Sequence, residues 1–246
     1  MPGMEVVVSG EPLTIEEVVA VAKGEAKARP GPGLDERMTP ARGVVERAVS
    51  GDRVVYGITT GFGALATTRI DPSEASRLQV NLLRSHAAGV GDPLPDEVVR
   101  AMLLLRARTL AQGHSGVRPV VVRRLLEMLE ADVLPIVPGY GSVGASGDLA
   151  PFAHLALPLI GEGEVRLEGR VLPAAAALSQ VGLEPLTLEA KEGLSLLNGT
   201  EGMAAMLCLA VSRMERLAAV ADLATALSIE ALMGSARPFR PEIHRL

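Results

Sequence analysis

The stretch from about residue 199 to 233, "GTEGMAAMLCLAVSRMERLAAVADLATALSIEALM", limits the possible folds more than any other. It consists almost wholly of good helix formers with an apolar face, and it far exceeds an average helix of about 11–12 residues. Helices in globular proteins draw most of their stability from packing, so this one needs neighbours of similar length. Only "RPFRPEIHRL" follows it, which leads us to expect a chain that has been cut or that borrows partners. The longest charge-free window in the run, Gly202 to Ser212, falls well short of the roughly 20 residues a membrane span requires, so it reads as a core helix.

Upstream, "VVVSGEPLTIEEVVAVA" reads as a short strand, a turn, and a helix opened by a capping box of Thr14 and Glu17. Residues 24–33, "GEAKARPGPG", read as a Gly/Pro loop, and Leu34 to Val49 as a helix broken at Pro40. "VVYGITTGFGALATT" has the β-branched start of a strand that runs into a flexible loop. Asp71 and Pro72 announce a helix that would keep Ala75, Leu78, Leu82 and Ser85 on one face and end at His86. Helices are expected at about 95–112 and 118–131, the first stopped by Gly113, and "EVRLEGRVL" is a hairpin turning at Glu168-Gly169.

These elements describe a mainly α chain with a few short strands. A domain over 1–198 would lead into the start of a helical bundle over 199–246 that is incomplete within this chain. With 48% hydrophobic residues the chain can bury a substantial core. Its 24 basic and 29 acidic residues form no basic stripe and only 2% of residues are aromatic, which argues against nucleic acid as a partner. The flanks of the first apolar stretch do not fit a signal peptide, and no membrane association is expected. The single cysteine, Cys208, lies in an apolar run, reads as a small buried hydrophobe, and suits a cytoplasmic setting. No spacing of His, Asp and Glu asks for a metal.

The glycine-rich segment "GYGSVGASGDLAP" (139–151) admits several readings. Gly139-Tyr-Gly141-Ser-Val-Gly144 matches the dinucleotide-binding fingerprint, with Asp148 opening a helix. Against this, "VLPIVP" before it holds Pro135 and Pro138, which cannot donate to the ladder of a buried central strand, and no β-α alternation surrounds it. A plain structural loop is the other simple reading.

A further resemblance decides between them. "GSVGASGDLAP", together with "YGITTGFG", "SHAAGVGD" and "EGLSLLNGT", resembles the aromatic amino acid ammonia-lyases, with the four motifs in family order from Val6 to the last residue. The resemblance implies that Ala145, Ser146 and Gly147 cyclise: the Gly147 nitrogen attacks the Ala145 carbonyl, water leaves, and Ser146 is dehydrated. The product would be a methylidene-imidazolone (MIO), an electrophile made from backbone, with no external cofactor. Small residues suit so tight a turn. Loss of ammonia from an α-amino acid needs such a group because amines leave badly. The alternative electron sink, pyridoxal phosphate, finds no recognisable setting around the three lysines, Lys23, Lys27 and Lys191.

The resemblance also assigns partners to the electrophile. Tyr56, heading "YGITTGFG", would remove the β-proton; a phenol does this near neutral pH only where its surroundings lower its pKa from about 10. Ser85 and His86 match the pair found in histidine-specific members, with His86 touching the substrate side chain. Asn198 would lie near the substrate carboxylate and the electrophile's oxygen, donating without adding charge, although Asn-Gly is also a common turn pair. Gly63 would allow close backbone approach in a loop that acts as a lid. The substrate would be an amino acid: histidine converted to urocanate, or tyrosine or phenylalanine in the same chemistry or an amine-shifting mutase. The implied assembly is a homotetramer whose sites take further groups, an arginine, a second tyrosine and a glutamate, from outside this chain. From a different class, an inactive oligomerising helical fragment is the remaining alternative.

Overall fold

In a computed structural model, residues 4–51, 54–61, 70–143 and 147–245 are described. Strand β1 (Met4–Val8), helix α1 (Ile15–Ala22) and strand β2 (Ala26–Pro30) form a β-α-β unit whose strands pair in parallel, Val6 opposite Ala28. The expected capping box is present: Thr14 Oγ1 accepts from Glu17 N and Glu17 Oε2 from Thr14 N. Strand β2 replaces the loop expected over 24–33. Ala26 and Ala28 alternate inward beneath Val6 and Val8, and a parallel partner 22 residues away leaves no local signal.

Helix α2 (Leu34–Ser50) runs straight through Pro40 without the expected break. Pro40, which has no N–H to give the Glu36 carbonyl, lies on an exposed face, and Thr39 Oγ1 donates to the Asp35 carbonyl at 2.7 Å. Residues 54–61 hold no strand. Val55 is instead drawn into a turn, its carbonyl accepting from Ile58 N and Thr59 N and its N–H donating to Thr59 Oγ1 at 2.8 Å.

A short 3₁₀ turn (Pro72–Glu74) leads into α3 (Ala75–His86). This helix is wedged between two later ones, so its buried stripe is Ala75, Gln79, Leu82 and Leu83 rather than the expected 75/78/82/85, and Ser85 is exposed. Strand β3 (Val90–Pro93) precedes α4 (Asp96–Ala111), the centre of the molecule. Ala101, Met102, Leu103, Leu104, Ala107 and Leu110 are buried around its circumference, and α1, α5 (Pro119–Glu130) and α9 (Glu201–Ala231) pack against it. A helix that buries so many apolar residues sits in the interior, which makes its one fully buried charge, Arg106, conspicuous.

Strands β4 (Leu134–Pro135) and β5 (Pro138–Tyr140) are short, as their prolines require; β4 joins the hairpin of β6 (Glu164–Leu167) and β7 (Arg170–Pro173), while β5 pairs with β3. The hairpin turns at Glu168 and Gly169, both with positive φ, as expected for a type I′ turn. The last elements are α6 (Leu149–Ala156), α7 (Ala174–Gln180), the short α8 (Glu192–Leu197) and the 31-residue α9. Only Gly202, Ala205 and Leu209 of α9 are buried, and Leu217, Val220, Leu223 and Leu227 are exposed. Among the described residues no helix is long and apolar enough to cross a membrane.

Candidate active site

The glycine segment enters from β5 and leaves into α6. Its far end is seated on the corner between α8 and α9. Gly147 has φ +81° and forms a parallel bridge with Gly199; a Cβ on it would lie 2.3 Å from the Gly199 carbonyl oxygen and 2.8 Å from Thr200 Cγ2. Only glycine fits there, on backbone conformation and on space. Asp148, 1% exposed, locks the seat: its N–H donates to Gly199 O at 2.8 Å, Oδ1 accepts from Ser142 Oγ at 2.6 Å, and Oδ2 accepts from Met203 N at 2.9 Å. One carboxylate therefore ties both ends of the loop to the first turn of α9, where an anion also suits the helix dipole. Ala145 and Ser146 lie outside the described residues.

Asn198 is the C-cap of α8 and is exposed; its backbone carbonyl accepts from Arg106 Nη1 at 3.2 Å. It directly precedes the residue on which Gly147 rests. The other end of α8 is held by Glu192, fully buried, which accepts from Arg118 N, Nε and Nη2 and from Glu189 N at 2.8–3.0 Å.

His86 ends α3. Its Nδ1 lies 2.9 Å from the Leu82 carbonyl, which can only accept, so Nδ1 carries the proton and a neutral ring keeps its lone pair on Nε2. Ser85 Oγ also donates to Leu82 O, at 3.0 Å, and sits 3.1 Å from His86 Nδ1. The chain after His86 is bound to the glycine segment and to the helix that segment leads into. Val90 pairs with Tyr140 through β3 and β5, and Gly89 N donates to His154 Nε2 of α6 at 3.1 Å. Burial lowers the pKa of His154, favouring the neutral acceptor this bond needs. Helix α3 also packs on α8, where Leu194 N donates to Gln79 Oε1 at 3.3 Å.

Tyr56 stands on the turn over 54–61 and is 61% exposed. Ile58 of that turn packs with Val45, Ala75 and Ala190, at the start of α3, about 16 Å along that helix axis from His86. The described contacts thus bring Gly147, Asn198 and the His86 segment together. Thr59, Thr60 and Gly61, at the start of the expected lid, belong to the turn over 54–61, and Gly63 lies outside the described residues. Sequence reasoning missed Arg106 and the locking role of Asp148. A lone arginine inside "AMLLLRA" was the available signal for the first. Cys208, expected to be buried, is half-buried, and desolvation raises its pKa, so it is no activated thiolate.

The family model for aromatic amino acid lyases matches residues 13–246. This chain belongs to the aromatic amino acid lyase family. Among this family's proteins, the histidine ammonia-lyase of Gloeobacter violaceus is 55% identical over 98% of the chain and 47% of its own length. That of Myxococcus xanthus is 51% identical over 97% of the chain, again 47% of its own length. Among solved structures of lyase-family fold, histidine ammonia-lyase from Trypanosoma cruzi superposes with a TM-score of 0.90 at 40% identity, covering 98% of this chain and 47% of that one. Tyrosine aminomutase from Streptomyces globisporus gives 0.90 at 41% identity, covering 96% and 44%. The chain spans about half the length of the curated relatives it matches. The mainly α architecture expected from the sequence is the one observed.

Proposed function

We propose that this chain is the N-terminal part of an ammonia-lyase that converts L-histidine to trans-urocanate and ammonia, with residues 1–198 carrying the reactive loop and 199–246 beginning a helical bundle. The observation that carries the reading is the seat of Gly147. Its positive φ, the space that a Cβ would fill and the lock by Asp148 fit a loop whose Gly147 nitrogen closes a ring on Ala145. A methylidene-imidazolone so formed would supply an electrophile that turns the substrate amine into a better leaving group.

The chain's own residues do the rest. Tyr56 takes the β-proton from substrate as the amine departs. Asn198, beside the Gly147 seat, donates its amide toward the carboxylate. His86 offers Nε2 as an acceptor, which suits the N–H of a substrate imidazole. The approximately 50% identity to several histidine ammonia-lyases favours histidine over tyrosine or phenylalanine. The exposed apolar length of α9 suits a homotetramer whose bundle would cover it, and the single cysteine suits the cytoplasm.

Incubating the full-length protein separately with histidine and with tyrosine tests the reading. Rising ultraviolet absorbance of urocanate with histidine alone is expected. Turnover of tyrosine but not histidine would replace it with the tyrosine lyase or mutase, and silence with both would favour an inactive helical module.

A further inference from the structure

Arg106 has no part in the reaction as outlined, yet among the described residues it is the largest fully buried side chain, 1% exposed. Three elements meet on its guanidinium. The ring of Phe152, on α6, lies 4.4 Å from Cζ. Nη1 donates to the carbonyls of Ser195 and Asn198, each at 3.2 Å, in the last turn and cap of α8. Nη2 pairs with Glu201, the first residue of α9. Gly199 lies so close that a Cβ on it would sit 1.7 Å from Nη2. Since the Gly199 carbonyl receives Asp148 N and faces Gly147, the guanidinium packs directly behind the seat of the reactive loop.

We infer that Arg106 is a positioning residue: it fixes the corner from Ser195 to Glu201, and through that corner it holds the Asn198 amide and the Gly147 seat in register. The role rests on the reading of Ala145-Ser146-Gly147 as a self-cyclising triad. The last carbonyls of a helix have no partners within it, and a cation there is favoured by the dipole. A planar guanidinium can serve several acceptors at fixed angles and stack on an aromatic ring at the same time, which an ammonium cannot. Glycine at 199 is then explained by close approach: any side chain would displace the guanidinium from behind the seat.

The test compares R106M and R106K with the parent full-length protein by three readouts: the mass of the peptide containing residues 145–147, amide exchange by region, and kcat against KM for histidine. In R106M, part of the peptide should retain the two waters that ring closure and serine dehydration expel. Amides over 195–204 should exchange about tenfold faster while those of the β6–β7 hairpin stay as in the parent. The kcat should fall by roughly 100-fold with a much smaller change in KM, as expected when a reacting group is misplaced. R106K should recover part of each loss. Parental mass and parental exchange over 195–204 in R106M would overturn the inference, as would faster exchange spread evenly over the chain with ring closure intact. Should R106M fail to fold, R106K decides by the same measures, its local exchange and peptide mass lying between parent and failure or else matching the parent. Absence of the water loss in the parent itself would refute the cyclisation reading, and the exchange comparison would still decide whether Arg106 holds the corner.

Discussion

Substituting Gly147 by alanine perturbs the site at the one point where the loop touches its seat. The added Cβ would sit 2.3 Å from the Gly199 carbonyl oxygen and 2.8 Å from Thr200 Cγ2, distances at which backbone has to move. The residue would also hold φ +81°, which costs an L-side chain about 1–2 kcal/mol. If the loop lifts to relieve the contact, the Asp148 N–H to Gly199 O bond is lost from a buried site, at about 1 kcal/mol more. The sum, about 2–3 kcal/mol, corresponds to a fall in Tm of roughly 5–10 °C for a chain of this size. Thermal denaturation by circular dichroism gives the first number. Peptide mass gives the second result: with its nitrogen lifted from the seat, residue 147 should no longer close the ring, and the peptide should keep both waters. A variant melting within about 1 °C of the parent and showing complete water loss would refute the account of the seat.

Three further outcomes follow. Y56F should lower kcat by about 100- to 10,000-fold, the range lost with a general base, while leaving the mass of the 145–147 peptide as in the parent; retained turnover would remove Tyr56 from the chemistry. H86A should raise KM for histidine by about 5- to 150-fold, one unsatisfied polar contact being worth about 1–3 kcal/mol, and an unchanged KM would detach His86 from the substrate. His154 is neutral in the fold with its pKa lowered by burial, so its contribution is complete above the unfolded imidazole value of about 6.5 and is lost as pH falls through the lowered folded value. Melting between pH 8 and 5 should therefore show a decline that H154Q, whose amide oxygen can accept from Gly89 without titrating, does not share; identical profiles would contradict this.

What the sequence displayed was local. Thr14 and Glu17, the Glu168-Gly169 turn, the apolar period of α4 and α5 and the helix-forming run of α9 each encode their element within a few residues. What it hid depends on distant partners. Strand β2 exists because Ala26 and Ala28 find β1 across a helix, and the buried face of α3 is set by its packing between α6 and α8. Pro40 gives a break signal that an exposed helix face absorbs. In the site, the glycine, histidine and asparagine motifs could be read as short strings. The groups that hold them together could not: Asp148 acts on Met203 and Arg106 on Asn198, each across dozens of residues, and charge alone does not reveal what it faces.

The central claim is that Ala145, Ser146 and Gly147 convert their own backbone into an electrophile. Digestion of the full-length protein and mass measurement of the peptide spanning these three residues addresses it most directly. The account predicts a peptide lighter than its sequence by two waters, with the loss confined to residues 145–147. A peptide of full mass from correctly assembled protein, carrying an ordinary serine at 146, would contradict it.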